Sequence, residues 1–444
     1  MLASAFKKLS SIHVLVVGDF MLDHYTIGKI ERISPEAPVP IMQISGESCR
    51  PGGAGNVALN LAALGAQVSL LGMIGHDDYG QKLVDSIDTS QINRETLFQE
   101  DSLSTIVKKR LIAGSQQLMR LDYEKIEVLS EKQEQIVIDS LTQKTNVDVV
   151  AISDYNKGFL TPNILKAVIH WASQNSIPVL VDPKGDDFSK YRGATLIKPN
   201  LKEAYLASKL GKDSSIDDVA EALINQAQLK SLVITRSEKG ISLFNKGEIR
   251  ADFPVVAQEV MDVTGAGDTV LAVLCFAVGN GLNLSEAIEL ANMASGLAIG
   301  RLGCAHITLS EIAARLLEIR TDNKIFEESH LFPLIQALKT EEYVICVVED
   351  SHSISLNMLH HLKELKKVHN NAYIVLYMDE SDSSKEVAST LSSFNEVDFV
   401  ILKKEGLSHL LATLYPKAVV FLKDDKLDKM VPIDQAINIL ASVN

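Results

Sequence analysis

Cysteine is scarce in this chain. Cys49, Cys275, Cys304 and Cys346 are the only four among 444 residues. Their scatter excludes a metal-ligand spacing and an even-spaced disulfide framework, so buried thiols in a reducing compartment are expected. Long apolar runs are missing too: none reaches the roughly 18 to 20 residues that span a bilayer. The lysine-bearing N-terminus leads only into a short apolar strand at 12–17, which is not the pattern of a secretory leader. Positive charge is in deficit, with 43 Lys and Arg against 57 Asp and Glu and a net charge of −14. That balance disfavours nucleic acid or an anionic membrane as a partner, so phosphate binding has to be built locally. No low-complexity tract or internal repeat is found. A soluble, cytoplasmic protein that handles small molecules is the expectation.

The length exceeds what one core commonly serves, and two domains of unequal size are expected. Short apolar runs rich in branched residues occur at 12–18, 68–74, 149–153, 178–182, 194–197, 232–235 and 241–244. Helical periodicity fills the gaps at 57–64, 131–142, 162–174, 216–228 and 285–299. Continuous rather than alternating apolar strands are buried on both faces, which predicts an α/β fold with a mainly parallel sheet flanked by helices. Ligands then belong at the carboxyl ends of the strands. Segments 25–45 and 104–124 break this rhythm by alternating, the latter with a turn at Ala113-Gly114-Ser115, and are read as a small β lid.

The chemistry concentrates in Asp262-Val263-Thr264-Gly265-Ala266-Gly267-Asp268-Thr269, followed by an apolar helical run. The glycines permit a tight turn that aims amide N–H groups at one point on the helix's positive end. Asp268, in the first turn, would stand beside that anion site as a general base, the pairing that phosphoryl transfer to a hydroxyl requires. A glycine turn capped by Thr264, with Asp268 complementing the helix dipole, explains the same residues equally well. Upstream, Gly18-Asp19-Phe20-Met21-Leu22-Asp23 places two carboxylates at a strand end. Asp19 reads best as a cap, and Asp23 as a grip on sugar hydroxyls. Gly52, Gly53 and Asn56, in Arg50-Pro51-Gly52-Gly53-Ala54-Gly55-Asn56, allow close approach to a ligand, although packing alone also produces such turns.

Lys157 and Lys184 each follow a buried strand, and either a phosphorylated ligand or a solvated loop accounts for them. Asn200 and Glu203 have the spacing of a capping box, and Glu203 is also a candidate for indirect contact with magnesium. Thr235, Ser237, Glu238 and Gly240 form a turn that could border a nucleotide or be an ordinary polar hairpin. Asn292, within an apolar helix, is a weak candidate for a purine pocket.

In this order, the early glycine motif, the Asn200–Glu203 box and the Gly265–Asp268 turn resemble the ribokinase-like, PfkB-type sugar kinases. The stretches Ile33-Ser34-Pro35-Glu36-Ala37-Pro38-Val39-Pro40 and Gln116-Gln117-Leu118-Met119-Arg120-Leu121-Asp122 narrow the resemblance to the heptose 7-phosphate kinases, and it covers most of residues 10 to 310. The resemblance implies ATP-dependent phosphorylation of D-glycero-D-manno-heptose 7-phosphate at its anomeric hydroxyl, a step towards ADP-heptose and the lipopolysaccharide core. It implies Asp268 as base, the amides of Gly265, Ala266 and Gly267 as anion hole, and Asp23, Gly52, Gly53 and Asn56 on the sugar. Asn200 and Glu203 would serve magnesium-ATP, Asn292 would sit near adenine, and a monovalent cation is an open addition. Lys157, Lys184 or Arg120 is the expected contact for the 7-phosphate. A homodimer through the lid is expected on the resemblance alone. Ala113-Gly114-Ser115 stands where a more polar or basic lid turn would be expected, which removes a phosphate contact and lowers the expected substrate affinity.

The domain reading is kinase 1–318, linker 319–342, and a second α/β domain 343–444 that resembles an adenylyltransferase of the nucleotidyltransferase type. Its His-x-Gly-His signature is missing: Ser355-Leu356-Asn357-Met358 stands in that place. His352, His360 and His361 lack the spacing, so the domain is read as degenerate and a bifunctional enzyme as disfavoured. Two rival functions remain: a related kinase for another sugar or sugar phosphate, and a non-catalytic sugar or nucleotide sensor on the same fold.

Overall fold

The apolar run near the N-terminus folds as strand β1 (His13–Gly18), lying between β4 (Gln67–Gly75) and β9 (Val149–Ser153) in a parallel sheet. The computed structural model describes residues 6 and 8–431 apart from 115, 256–259, 302, 321–323, 327–330, 339–341, 349–353, 371, 380–381, 404–415 and 424–425. Between β1 and β4 the chain leaves the sheet as β2 (Phe20–Ile33), returns as β3 (Pro40–Gly53), and enters helix α1 (Ala54–Ala63). After β4 come α2 (Asp78–Ser86), β5 (Ile92–Asn93), β6 (Leu97–Glu100), and the pair β7 (Ile106–Ala113) and β8 (Gln116–Tyr123). Helix α3 (Glu131–Leu141) precedes β9, and α4 (Pro162–Gln174) links β9 to β10 (Val179–Asp182). Then follow β11 (Leu196–Ile197), α5 (Leu201–Ser208), α6 (Ile216–Ala227), β12 (Ser231–Thr235), β13 (Ile241–Asn245), β14 (Ala251–Phe253), α7 (Ala266–Gly279) and α8 (Leu284–Ile299).

The main sheet runs β14-β13-β12-β11-β10-β9-β1-β4-β5, with β6 also paired to β4. Every pairing in it is parallel except β12–β13 and β13–β14. The uninterrupted apolar strands have the cause expected of them. Leu15 and Val17 face a core shared with Val137 of α3, Leu165 and Val168 of α4 and Val219 and Leu223 of α6, while α1 and α7 pack against β1 and β9. Chain order reverses beside β1, between β4 and β9, and such a switch point opens a crevice at the strand carboxyl ends. Gly18, Ser153 and Asp182 lie side by side on that edge.

The lid is a four-stranded sheet in the order β3-β2-β7-β8. Its first pair begins earlier and ends later than segment 25–45, while its second pair falls within 104–124. Asp23 is inside β2 rather than in a loop after β1, and Gly52 and Gly53 finish β3 rather than forming a free turn. Fully extended pairing extends the alternating pattern into residues whose burial under the lid hides it. Gly114 makes the β7–β8 turn at φ +61°, and Ser115 lies outside the described residues.

The chain divides into a unit Leu9–Thr308 and a unit of Leu309–Asn444 with Met1–Lys8. The boundary therefore falls at Thr308 and not at 318. Helix α9 (Leu309–Arg320) belongs to the second unit, where it packs on α10 (Leu331–Leu338). Residues 319–342 are not a bare linker, because they carry α10 and β15 (Ile325–Phe326), which pairs with β18 (Phe399–Lys403). The second unit also contains β16 (Tyr343–Val348), α11 (Leu356–Val368), β17 (Tyr373–Asp379), α12 (Asp382–Ser392), β19 (Ala418–Lys423) and β20 (Lys426–Val431). Their order, β15-β18-β17-β16-β19-β20, is parallel except for the last pair and has the doubly wound pattern. His352 lies outside the described residues.

A Cβ on Gly18 would stand 2.2 Å from the Ser153 carbonyl oxygen of the neighbouring strand. Backbone cannot yield there as a side-chain tip would. Gly18→Ala is expected to destabilise the first unit by about 1–3 kcal/mol, read as a lower midpoint in thermal unfolding.

Candidate active site

Helix α7 starts at Gly265, whose φ of +79° is left-handed and suits glycine. Space forbids a side chain as well, since a Cβ would lie 2.8 Å from Asn56 Nδ2. Asp262 secures the turn by accepting hydrogen bonds from the Thr264 N–H (2.9 Å) and hydroxyl (2.7 Å) and from the Gly303 N–H (2.9 Å). Of the three amides expected to form an anion hole, that of Ala266 is engaged within the turn, donating to the Val263 carbonyl at 3.3 Å. Gly267 is exposed, and a Cβ on it would lie 3.7 Å from both Asp182 Oδ2 and Lys198 Nζ. An ammonium thus stands beside the helix's positive end.

Asp268 follows, only 4% exposed. Its Oδ2 accepts from Asn56 Nδ2 at 2.8 Å and its Oδ1 from the Tyr155 hydroxyl at 2.9 Å. Burial pushes this carboxyl above the ordinary range, against those two hydrogen bonds and the Lys198 ammonium. Asn56 is itself held from α1, where Asn60 Nδ2 donates to its backbone carbonyl at 2.9 Å. Asp19 behaves as a cap: its Oδ2 accepts from the N–H groups of Tyr155 (2.8 Å) and Lys157 (3.1 Å), and burial lifts it to about 6.

On the lid, Arg50, Asp23, Lys108 and Asp122 form one cross-strand row. The next row on that face carries Tyr25, Arg110 and Arg120. Arg110 pairs with Asp23, and both Arg50 and Arg110 lie over the Tyr25 ring, 5.7 and 5.3 Å from its centroid. A Cβ on Gly52 would lie 2.6 Å from Asp23 Oδ2, so glycine lets β3 approach that carboxylate closely. Asp23, Gly52, Gly53, Asn56 and Asp268 are thereby gathered where the lid meets the sheet edge. Two of the three cations considered for a sugar phosphate remain on this side. Lys157 pairs with Glu124 at 2.6 Å, and Arg120, half exposed, forks onto Asp122 at 2.7 and 2.8 Å. Lys184 does not join them: it pairs with Glu203 at 2.6 Å in a separate cavity.

That cavity, about 820 Å³, is lined by Lys184, Lys198, Asn200, Glu203, Thr235, Ser237, Glu238, Gly240, Ala266, Gly267 and Asn292, with Val255, Val260, Val263 and Ile299 supplying apolar wall. Every residue named from sequence for a nucleotide is on it. Asn200 and Glu203 do form a capping box at the start of α5, so the local and the ligand-facing readings hold together. Asn292 Nδ2 donates to the carbonyls of Phe253 (3.2 Å) and Pro254 (2.8 Å), tying α8 to the end of β14.

A model of the pfkB family of carbohydrate kinases matches residues 11–311. The chain belongs to that family. It is 40% identical to the bifunctional protein HldE of Trichlorobacter lovleyi over 95% of this chain and 89% of that one. With the bifunctional protein HldE of Geobacter sulfurreducens the identity is 38%, over 96% and 91%. Among solved structures, Escherichia coli phosphofructokinase-2 in complex with substrates and products aligns with a TM-score of 0.57 at 18% identity, covering 70% of this chain and all of that one. Arabidopsis thaliana ribokinase complexed with ribose and ATP gives 0.55 at 16%, with the same coverage. These two establish the shared fold. As a pfkB family member the protein is an ATP-dependent carbohydrate kinase.

Sequence reasoning missed Lys198, Tyr155, Lys108, Arg110 and Arg50. Period-two alternation outward from Asp23 would have found the lid residues, and Lys198 directly precedes the Pro199-Asn200 pair that was noticed. Lys198 is buried against Asp182 at 3.0 Å, and that carboxyl is lifted to about 7 by burial in spite of the lysine. Lys198→Met is expected to reduce kcat by about 10²–10³, the scale for removing one donor to developing charge. Steady-state kinetics with ATP varied checks this.

Proposed function

We propose that the protein transfers the γ-phosphoryl group of ATP to the anomeric hydroxyl of D-glycero-D-manno-heptose 7-phosphate, giving the 1,7-bisphosphate for ADP-heptose and lipopolysaccharide core synthesis. The observation that carries this reading is Asp268, a buried carboxylate between the lid-side residues and the head of α7. The sugar hydroxyl gives its proton to Asp268, its oxygen attacks the γ-phosphorus, and the bond to the β–γ bridging oxygen breaks to release ADP. Gly267, the α7 N-terminus and Lys198 face the charge that develops on the transferred group. The heptose branch is supported by relatives that match almost the whole chain, and by the lid motif Gln116 to Asp122, which forms β8.

Asp23, the close backbone of Gly52 and Gly53, and Asn56 hold the sugar. Lys157 and Arg120, joined by Lys108, offer cations to the 7-phosphate from the lid side. ATP occupies the 820 Å³ cavity, with Asn292 on its wall. Magnesium keeps several waters and takes phosphate oxygens rather than a dedicated protein cage. Glu203 is the residue that would hold it, and through water, because its oxygens already accept from Lys184 and from the Asn200 N–H. When bound, the ion neutralises charge on the phosphate oxygens. Ile27, Ile33, Ile44 and Met119, all exposed on the lid, support a homodimer formed there. No helix among the described residues is long and apolar enough to cross a membrane, and a cytoplasmic enzyme is the reading we adopt.

The second unit is read as lacking adenylyltransfer. Helix α11 opens on Ser355, whose hydroxyl caps the Met358 N–H at 3.1 Å, and no His-x-Gly-His stands there to stabilise phosphate charge.

The test is ADP release from magnesium-ATP with heptose 7-phosphate, ribose, fructose 6-phosphate and unphosphorylated heptose, with pyrophosphate release from ATP and heptose 1-phosphate measured alongside. Turnover confined to heptose 7-phosphate, without pyrophosphate, is expected. Preference for another sugar would overturn the substrate, ATP binding without any turnover would favour a sensor, and pyrophosphate release would restore activity to the second unit.

A further inference from the structure

Loop 153–158 is built to deliver a phenol to the base. Ser153 ends β9 on the ligand edge of the sheet, and beyond it Asp19 anchors the loop by accepting the N–H groups of Tyr155 and Lys157. The Tyr155 side chain then points inward. Its hydroxyl meets Asp268 Oδ1 at 2.9 Å, on the carboxylate oxygen opposite the one that Asn56 holds. Burial and the Asp268 carboxylate push this phenol well above its ordinary range, so it stays protonated and donates to the carboxylate. From above, the lid's Lys108 ammonium lies 5.4 Å from the Tyr155 ring centroid, and a Cβ on Gly53 would lie 3.4 Å from the ring edge. The ring is therefore clamped between sheet edge and lid.

We infer that Tyr155 is a positioning residue for the catalytic base: its hydroxyl fixes one oxygen of Asp268 so that the other faces of the carboxylate stay aimed at the sugar hydroxyl, and it favours the charged, proton-accepting form. This rests on the kinase reading above and adds a residue to it. A carboxylate held by one donor can turn about its Cβ–Cγ bond. Held by Asn56 from α1 and Tyr155 from the β9 loop, it has one orientation, and charge-assisted hydrogen bonds of this kind are about twice as strong as neutral ones. Asp23 from β2, Asp182 at the end of β10, Lys198 after β11 and Cys304 beyond α8 also face the base electrostatically. None of them hydrogen-bonds it, so the donors from Asn56 and Tyr155 set its orientation.

The test compares wild type with Tyr155→Phe and with 3,5-difluorotyrosine installed at 155, a stronger donor of the same shape. Each is assayed with the sugar phosphate that wild type turns over, across the acid limb of the pH–kcat profile. Losing the donor removes an interaction that favours the charged carboxylate, so the limb of Tyr155→Phe should move to higher pH. The difluoro variant's should move to lower pH. Below the limb kcat of Tyr155→Phe should fall roughly tenfold, with KM for ATP and sugar within about twofold. A residue that merely packs would move neither limb, and unmoved limbs in both variants overturn the inference while leaving the kinase reading intact. Should Tyr155→Phe fail to fold, the difluoro shift alone decides. A wild type without turnover on any sugar phosphate overturns the kinase reading, and this inference with it.

Discussion

The structure of the first unit depends on holding one carboxyl group buried and fixed in orientation. Asp268 has lost most of its water, a cost that only specific partners can offset. Asn56 and Tyr155 supply them from two elements that are far from α7 in sequence. Each partner has its own support: Asn60 behind Asn56, and Asp19 behind the loop that carries Tyr155. Burial raises the proton affinity of this carboxyl while the two donors favour its charged form, the balance a general base would need.

The sheet topology explains why these supports converge. Beside the switch at β1, the strands deliver Asp19, the Tyr155 loop and Asp182 to a single edge, and α7 closes over them. Two chemically different spaces then meet at Asp268. One is the lid side, where arginine, lysine and aspartate alternate along rows of β2, β3, β7 and β8. The other is the cavity beside α7 and α8, lined by polar groups together with valine and isoleucine. A sugar phosphate suits the first and a nucleotide the second, and the positive end of α7 lies between them.

Much of this was legible in the sequence because local rules and global fold agree there. Parallel strands buried on both faces announce themselves as unbroken apolar runs, and the run at 149–153 is the observed β9. The α7 turn could be read because Gly265 must adopt a positive φ. The lid's true extent could not, because Phe20, Met21 and Leu22 are buried and continue the apolar run of β1. Pairings between distant segments also escaped. Nothing near Tyr155 in sequence says that its hydroxyl meets residue 268, and Lys184 and Lys157, alike in sequence, end in different spaces. The stretch 319–342 misled because its charges resemble a linker, while Leu334 and Leu338 of α10 are buried in a core of the second unit.

The most direct test of the central claim, that Asp268 is the base of a phosphoryl transfer, is to measure ATP binding by calorimetry and γ-phosphoryl transfer by product formation in Asp268→Asn beside wild type. Asparagine keeps the shape and cannot take the proton. ATP affinity close to wild type is expected, with transfer reduced by about 10²–10⁴. Transfer within a factor of a few of wild type, at equal ATP binding, would contradict it.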